Sequence, residues 1–129
     1  MKKMNVLLGI TGGIAAYKIP ELIRRLREKD ASVQVVLTKN ANKFVTETTL
    51  QALSGRRVRT DLWDNEAEAS MSHIELARWA ECVIVAPATA EFLSRLAAGS
   101  ALDLLSTLCL ATQAPLMIAP SMNHVMWKN

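Results

Sequence analysis

Aromatic residues are scarce in this 129-residue chain, at 5% of the total, and none interleaves with its basic clusters. That excludes the stacking platforms on which single-stranded nucleic acid is bound. The basic clusters are Arg24, Arg25, Arg27 and Lys29, then Arg56, Arg57 and Arg59, and both read as solvated helix and loop surface. A formal net charge of +3 is too small to argue for a nucleic-acid partner. Cysteine is rarer still. Cys82 and Cys109 lie in apolar runs without a Cys or His at metal-ligand spacing, which excludes a disulfide framework or a zinc site and predicts buried, reduced thiols in a cytoplasmic protein. No apolar run is long enough to cross a bilayer. The apolar stretch after Met1-Lys2-Lys3 breaks at Gly9 and at Gly12-Gly13, too early for a signal peptide.

What is present is an aliphatic chain, 50% hydrophobic, of a length that fits one domain over residues 1–129. Asn5–Ile10, Val33–Leu37, Cys82–Pro87 and Leu116–Ala119 are near-continuous apolar runs, as expected of strands covered on both faces. Helical patterns lie between them. One runs from Ile14 to Glu28 with Pro20 inside it, so its helix starts near Ile19 or kinks there. Others cover about Asn42–Leu53, Ile74–Trp79, Thr89–Ala98 and Asp103–Thr112, whereas Arg56–Ser72 is polar and reads as a loop or a short edge element. The order β-α-β-α-β-α-α-β predicts an α/β fold with a doubly wound parallel sheet. No closing helix is expected after the fourth strand.

Ligands of such sheets bind outside the carboxyl ends of the strands, so the residues following each strand are the candidates. Thr11-Gly12-Gly13-Ile14 follows the first. It lets the backbone approach a phosphate at a helix start, without the dinucleotide fingerprint or a P-loop lysine, and suits a mononucleotide such as FMN. Thr38 and Thr89 follow the next two strands, and Ser106 and Thr107 open a later helix. Their hydroxyls could cradle one phosphate or act as caps and turn formers. His73, where the polar loop becomes a helix, is a candidate general base or a cap, and His124 reads as a surface residue. Asn123, in Pro120-Ser121-Met122-Asn123, could donate to a carboxylate or a flavin edge, or simply form a turn.

Three stretches carry a resemblance: GITGGIAAYKIPELIRRLRE at 9–28, MSHIELARWAECVIVAPATAEFLSRLAAG at 71–99, and APSMNHVMW at 119–127. Together they are similar to the phosphopantothenoylcysteine decarboxylases, a family of homo-oligomeric flavin-containing cysteine decarboxylases. The specific motifs are His73-Ile74-Glu75-Leu76 and Pro-x-Met-Asn-x-x-Met, whereas the glycine turn is shared widely. The resemblance implies a Rossmann-like (flavodoxin-like) three-layer fold with FMN at the interface of a homotrimer. It places Gly12, Gly13, Ile14, Thr38 and Ser106 on the FMN phosphate and ribityl chain. Thr89, Ala90, Glu91, Phe92 and Ser121 would line the cofactor, His73 would be the catalytic base, and Asn123 with Met122 would hold the substrate. The implied reaction oxidises the thiol-bearing carbon of 4'-phospho-N-pantothenoylcysteine, releases CO2 from the resulting thioaldehyde, and returns the hydride to give 4'-phosphopantetheine in coenzyme A biosynthesis.

The chain departs from that pattern in three places. Leu102 stands where the family has Asn or Asp, which puts the local helix start in question, and Ser121 replaces the usual Ala. The family's substrate clamp, with its proton-donating Cys, lies beyond Trp127, and neither Cys82 nor Cys109 matches it. The expectation is therefore a shortened domain of marginal stability and impaired turnover, with a phosphopantothenate-cysteine ligase encoded separately. Two other readings remain: a decarboxylase of another cysteine-containing substrate, such as a peptidyl-cysteine, and a non-catalytic flavin-binding regulatory subunit. Flavin prenyltransferases share the fold but lack the His and the Pro-x-Met-Asn motif.

Overall fold

Four parallel strands form the centre of the molecule: β1 (Met4–Ile10), β2 (Ala31–Leu37), β3 (Cys82–Ala88) and β4 (Leu116–Pro120). They are ordered β2-β1-β3-β4. The computed structural model describes residues 3–129. Leu8, Ile10, Val33, Val35 and Leu37 face one way, onto α1 (Ile19–Glu28) and α2 (Glu47–Ser54). Leu7, Val36, Val83 and Val85 face the other way, onto α4 (His73–Trp79), α5 (Ala90–Ala97) and α6 (Leu104–Ala111). Covering both faces is why the strands read as apolar runs without alternation. Gly9 admits α6 to the second layer, since a Cβ there would lie 2.4 Å from Leu105 Cδ1. The architecture is the predicted three-layer, doubly wound α/β fold, with the reversal of strand order between β1 and β3.

Local chemistry explains where the elements begin. Ile14–Lys18 is a 3-10 turn and the α-helix starts at Ile19 with Pro20 in its first turn, the position where a missing N–H costs nothing. The helix expected over Asn42–Leu53 is divided: a 3-10 turn covers Lys39–Lys43, and α2 restarts where the Thr46 hydroxyl accepts the Thr49 N–H. The polar 56–72 stretch contains a helix, α3 (Asn65–Ser70), because Asp64 accepts the N–H groups of both Glu66 and Ala67. An isolated parallel bridge from Val36 to Arg59 lays the same stretch along the outer edge of β2. Gln34 fastens it there, donating to Arg57 O at 2.8 Å and accepting from Arg56 Nε at 3.1 Å.

The second basic cluster is therefore not simply solvated. Arg56 lies 4.7 Å from the centre of the Trp79 ring, and Arg59 is only 6% exposed. The two cysteines are half-buried and free. A helix does follow the fourth strand: α7 (His124–Lys128) begins because Asn123 Oδ1 accepts the Met126 N–H at 2.9 Å. It leaves β4 largely bare: Leu116 and Met117 are exposed, as are Val125, Met126 and Trp127 of α7. Among the described residues no helix is long and apolar enough to cross a membrane.

A candidate cofactor cleft at the carboxyl edge of the sheet

Each strand is followed at once by a hydroxyl residue: Thr11, Thr38, Thr89 and Ser121. The first three fix the edge. Thr11 is buried; its hydroxyl donates to Pro87 O and accepts the Thr89 N–H at 3.1 Å, so the ends of β1 and β3 are held together. Thr38 donates its N–H and its hydroxyl to Ile10 O at 3.1 and 3.2 Å, which joins β2 to β1. Thr89 caps α5 by accepting the Phe92 N–H at 3.2 Å. Ser121 donates its N–H to Ala88 O at 3.0 Å, bringing the Pro-Ser-Met-Asn turn to the end of β3.

Thr11, Thr38 and Thr89, but not Ser121, border a cavity of about 400 Å³ that is also lined by Gly12, Lys39 and Asn40 and, on its far side, by Arg95 and Asp103. That size suits a small-molecule site. Gly12 is required by close approach, because a Cβ there would stand 2.6 Å from Asn40 Cβ. Gly13 has an extended backbone, φ −126°, and an added Cβ would come no nearer than 3.3 Å to Thr89 Cγ2. The N-terminus of the eight-residue α5 opens on the cavity beside Thr89 and Glu91, so unpaired backbone N–H groups and the helix dipole favour an anion there. Lys39 adds a positive charge on the wall.

On the far wall, Arg95 donates to Asp103 at 2.9 Å, and its Nε lies 2.7 Å from Glu91 Oε1 without hydrogen-bond geometry. Burial alone would push the Asp103 carboxyl up, but hydrogen bonds from Ser106 and Arg95 outweigh it and hold the carboxyl below its ordinary range. Burial likewise works to lower the Arg95 pKa, and Asp103 and Glu91 outweigh it, so the guanidinium is held charged.

Several expected contacts take a different form. Phe92 is fully buried in the core, so its side chain does not line the cleft. The Ser106 hydroxyl is buried too and closes a capping box with Asp103, donating to its carboxylate at 2.7 Å. Thr107 turns back to Asp103 O at 2.7 Å. Both hydroxyls are occupied in starting α6 and face Asp103. The exposed Leu102 leaves that helix start intact, because the neighbouring Asp103 supplies the cap. Ile14 is exposed at the turn, and Ala90 follows the α5 cap.

His73 is the first residue of α4, after the cap Ser72, and it does not line the cavity; nor do Met122 and Asn123. His73 Nδ1 lies 3.1 Å from Glu68 Oε2. Asn123 presents an exposed amide whose oxygen is committed to Met126, which leaves its NH2 group free to donate. A single chain thus brings together Gly12, Thr38, Thr89 and Glu91, and holds the histidine and the asparagine elsewhere. The sequence pointed to Thr11 only as part of the glycine turn, and Lys39, Asn40, Arg95 and Asp103 were missed. The one available signal was a hydroxyl residue recurring directly after every strand.

Residues 1–129 match the flavoprotein family along their whole length. The chain is 60% identical over 125 residues to the coenzyme A biosynthesis bifunctional protein CoaBC of Vibrio cholerae, covering 97% of this chain and 31% of that one. It is 45% identical over 127 residues to the same protein of Bacillus subtilis, covering 98% and 31%. The chain spans about a third of the length of these curated relatives. Among solved structures, the FMN-dependent cysteine decarboxylase SpaF superposes with a TM-score of 0.87 at 30% identity, over 98% of this chain and 73% of that one. A PPC decarboxylase mutant complexed with pantothenoylaminoethenethiol superposes with a TM-score of 0.80 at 32% identity, over 99% and 72%. By sequence and by fold, the chain belongs to the flavoprotein family.

Proposed function

We propose that this chain binds FMN and decarboxylates 4'-phospho-N-pantothenoylcysteine to 4'-phosphopantetheine. The observation that carries the reading is the cleft itself. It sits at the switch point of the sheet, its turn has no room for a side chain at Gly12, and its helix N-terminus and Lys39 suit a phosphate. Gly12, Gly13 and Ile14, Thr38 and the α5 start at Thr89, Ala90 and Glu91 would hold the cofactor, with Ser121 at the neighbouring strand end and Ser106 acting through Asp103. When bound, FMN supplies hydride acceptance and return, which makes the carboxylate a leaving group.

The chain's own residues have the remaining work. His73 accepts a proton from the substrate. The free Asn123 amide donates to the substrate carboxylate and orients it, with Met122 beside it. Identity of 45–60% to CoaBC proteins supports this substrate over a peptidyl-cysteine.

The active unit on this reading is a homotrimer in the cytoplasm. It is supported by the separation of His73 and Asn123 from the cavity, and by the exposed Ile14, Tyr17, Val125 and Trp127. A neighbouring copy would bury those side chains and bring its own groups to the cleft. A phosphopantothenate-cysteine ligase, on the same or another polypeptide, would supply the substrate.

The direct test is to load the protein with FMN and add synthetic 4'-phospho-N-pantothenoylcysteine. Release of CO2 together with 4'-phosphopantetheine supports the reading. Flavin-loaded protein that yields neither would leave a flavin-binding subunit in its place.

A further inference from the structure

The loop before α4 builds a three-member polar chain that ends on the candidate base. Arg59, almost wholly buried, donates from Nη2 to Glu68 Oε1 at 3.2 Å and from Nη1 to Met71 O at 2.7 Å. Its Nε has no hydrogen-bond partner, so these contacts are what compensate a buried guanidinium. The same Glu68 Oε1 accepts the His73 backbone N–H at 3.1 Å. His73 Nδ1 faces both oxygens of that carboxylate, 3.1 Å from Oε2 and 3.2 Å from Oε1. The side chains of Glu68 and His73 are 25% and 31% exposed, so both keep contact with solvent.

We propose that Glu68, held by Arg59, is the positioning residue of His73 and fixes its neutral ring as the Nδ1–H tautomer, with the Nε2 lone pair directed away as the proton acceptor. An ionised carboxylate only accepts, so the nitrogen facing it must carry the hydrogen, and in a neutral imidazole the other nitrogen is then bare. Arg59 and the His73 backbone N–H approach the same oxygen of Glu68, which stops the carboxylate from rotating away. The arrangement keeps ring orientation and tautomer settled before substrate arrives. The catalytic consequence rests on His73 being the base of the proposed decarboxylation; the tautomer does not.

The sharpest variant is Glu68→Leu, which removes both oxygens that face Nδ1 and leaves that nitrogen without its acceptor. The neutral ring then has nothing to hold its hydrogen on Nδ1 and should shift toward the Nε2–H form. The measurement is the ¹⁵N spectrum of imidazole-labelled protein, at a pH above the imidazole titration. The chain has two histidines, and a His124→Asn variant assigns the signals.

Wild-type His73 is expected to show protonated Nδ1 and bare Nε2, and Glu68→Leu a shift toward protonated Nε2. Turnover of the flavin-loaded variant is expected to fall by roughly 10²–10⁴-fold, in kcat with KM little changed. A wild-type ring protonated on Nε2 overturns the proposal, whether or not the variant folds. So does a folded Glu68→Leu protein with an unchanged tautomer. If the tautomer switches as described while His73→Gln retains full turnover, the positioning stands and the assignment of His73 as base fails.

Discussion

The Thr11 hydroxyl receives the Thr89 N–H at 3.1 Å while donating to Pro87 O, so one buried side chain joins the ends of the two central strands. It sits where the sheet reverses its strand order, beneath the glycine turn. Thr11→Val keeps the shape and leaves the Thr89 N–H unpaired, whereas Pro87 O keeps the backbone N–H of residue 11 at 3.3 Å. The expected cost is about 1–3 kcal/mol in denaturant unfolding, with weaker FMN binding. Thr11→Ser retains the hydroxyl and should lose well under half of that. Equal losses in the two variants would mean that the hydrogen bonds do not matter.

The two glycines of the turn should separate in their effects. An added Cβ at Gly12 collides with Asn40, part of it backbone at 3.0 Å, whereas at Gly13 the nearest atom is a methyl group at 3.3 Å. Gly12→Ala should displace the 39–41 turn and lower FMN affinity at least tenfold. Gly13→Ala should fold with near-native stability, its added methyl acting chiefly on whatever enters the cleft. Melting curves beside flavin titrations distinguish these outcomes. A Gly13→Ala protein less stable than Gly12→Ala contradicts the packing described.

Asp103 links the far wall of the cleft to the start of α6, and its carboxyl is held below the ordinary range despite burial, which pushes the other way. A depressed folded pKa contributes stability that is present above the unfolded value, about 3.9, and lost as pH falls through the folded value. Asp103→Ala should therefore cost about 1 kcal/mol at neutral pH, the usual worth of an N-cap. The gap should close as wild type is titrated below about pH 4. A gap that widens on acidification would contradict this sign.

Burial, with the Asp103 charge adding to it, pushes the Cys109 thiol up to about 11. An unfolded cysteine titrates near 8.5, so at that pH the native thiolate is roughly two orders of magnitude scarcer than in the unfolded chain. A disulfide reagent should label Cys109 at least tenfold more slowly in native protein than in denaturant, as read in a Cys82→Ser background. Comparable rates would show the site to be open.

The strands were legible to within one or two residues because burial on both faces leaves an unbroken apolar run, as in Cys82–Ala88. Helix boundaries were less so, because they depend on single caps: Thr46 divides one expected helix, and Asp64 starts another within a polar stretch. The buried Arg59 was read as surface, since its burial depends on Glu68 and Met71, whose proximity no local pattern encodes. Ser106 illustrates the opposite difficulty. Its position after a glycine-containing loop suits a phosphate ligand, but the preceding Asp103 captures its hydroxyl. Motifs named His73 and Asn123, but not their distance from the cavity.

The central claim is that this chain builds an FMN site, and the most direct measurement is the visible spectrum of the purified protein with the released cofactor identified after denaturation. We expect bound FMN near one per chain, or uptake of added FMN to that level, reduced by Gly12→Ala. A colourless protein that takes up no FMN would contradict the account.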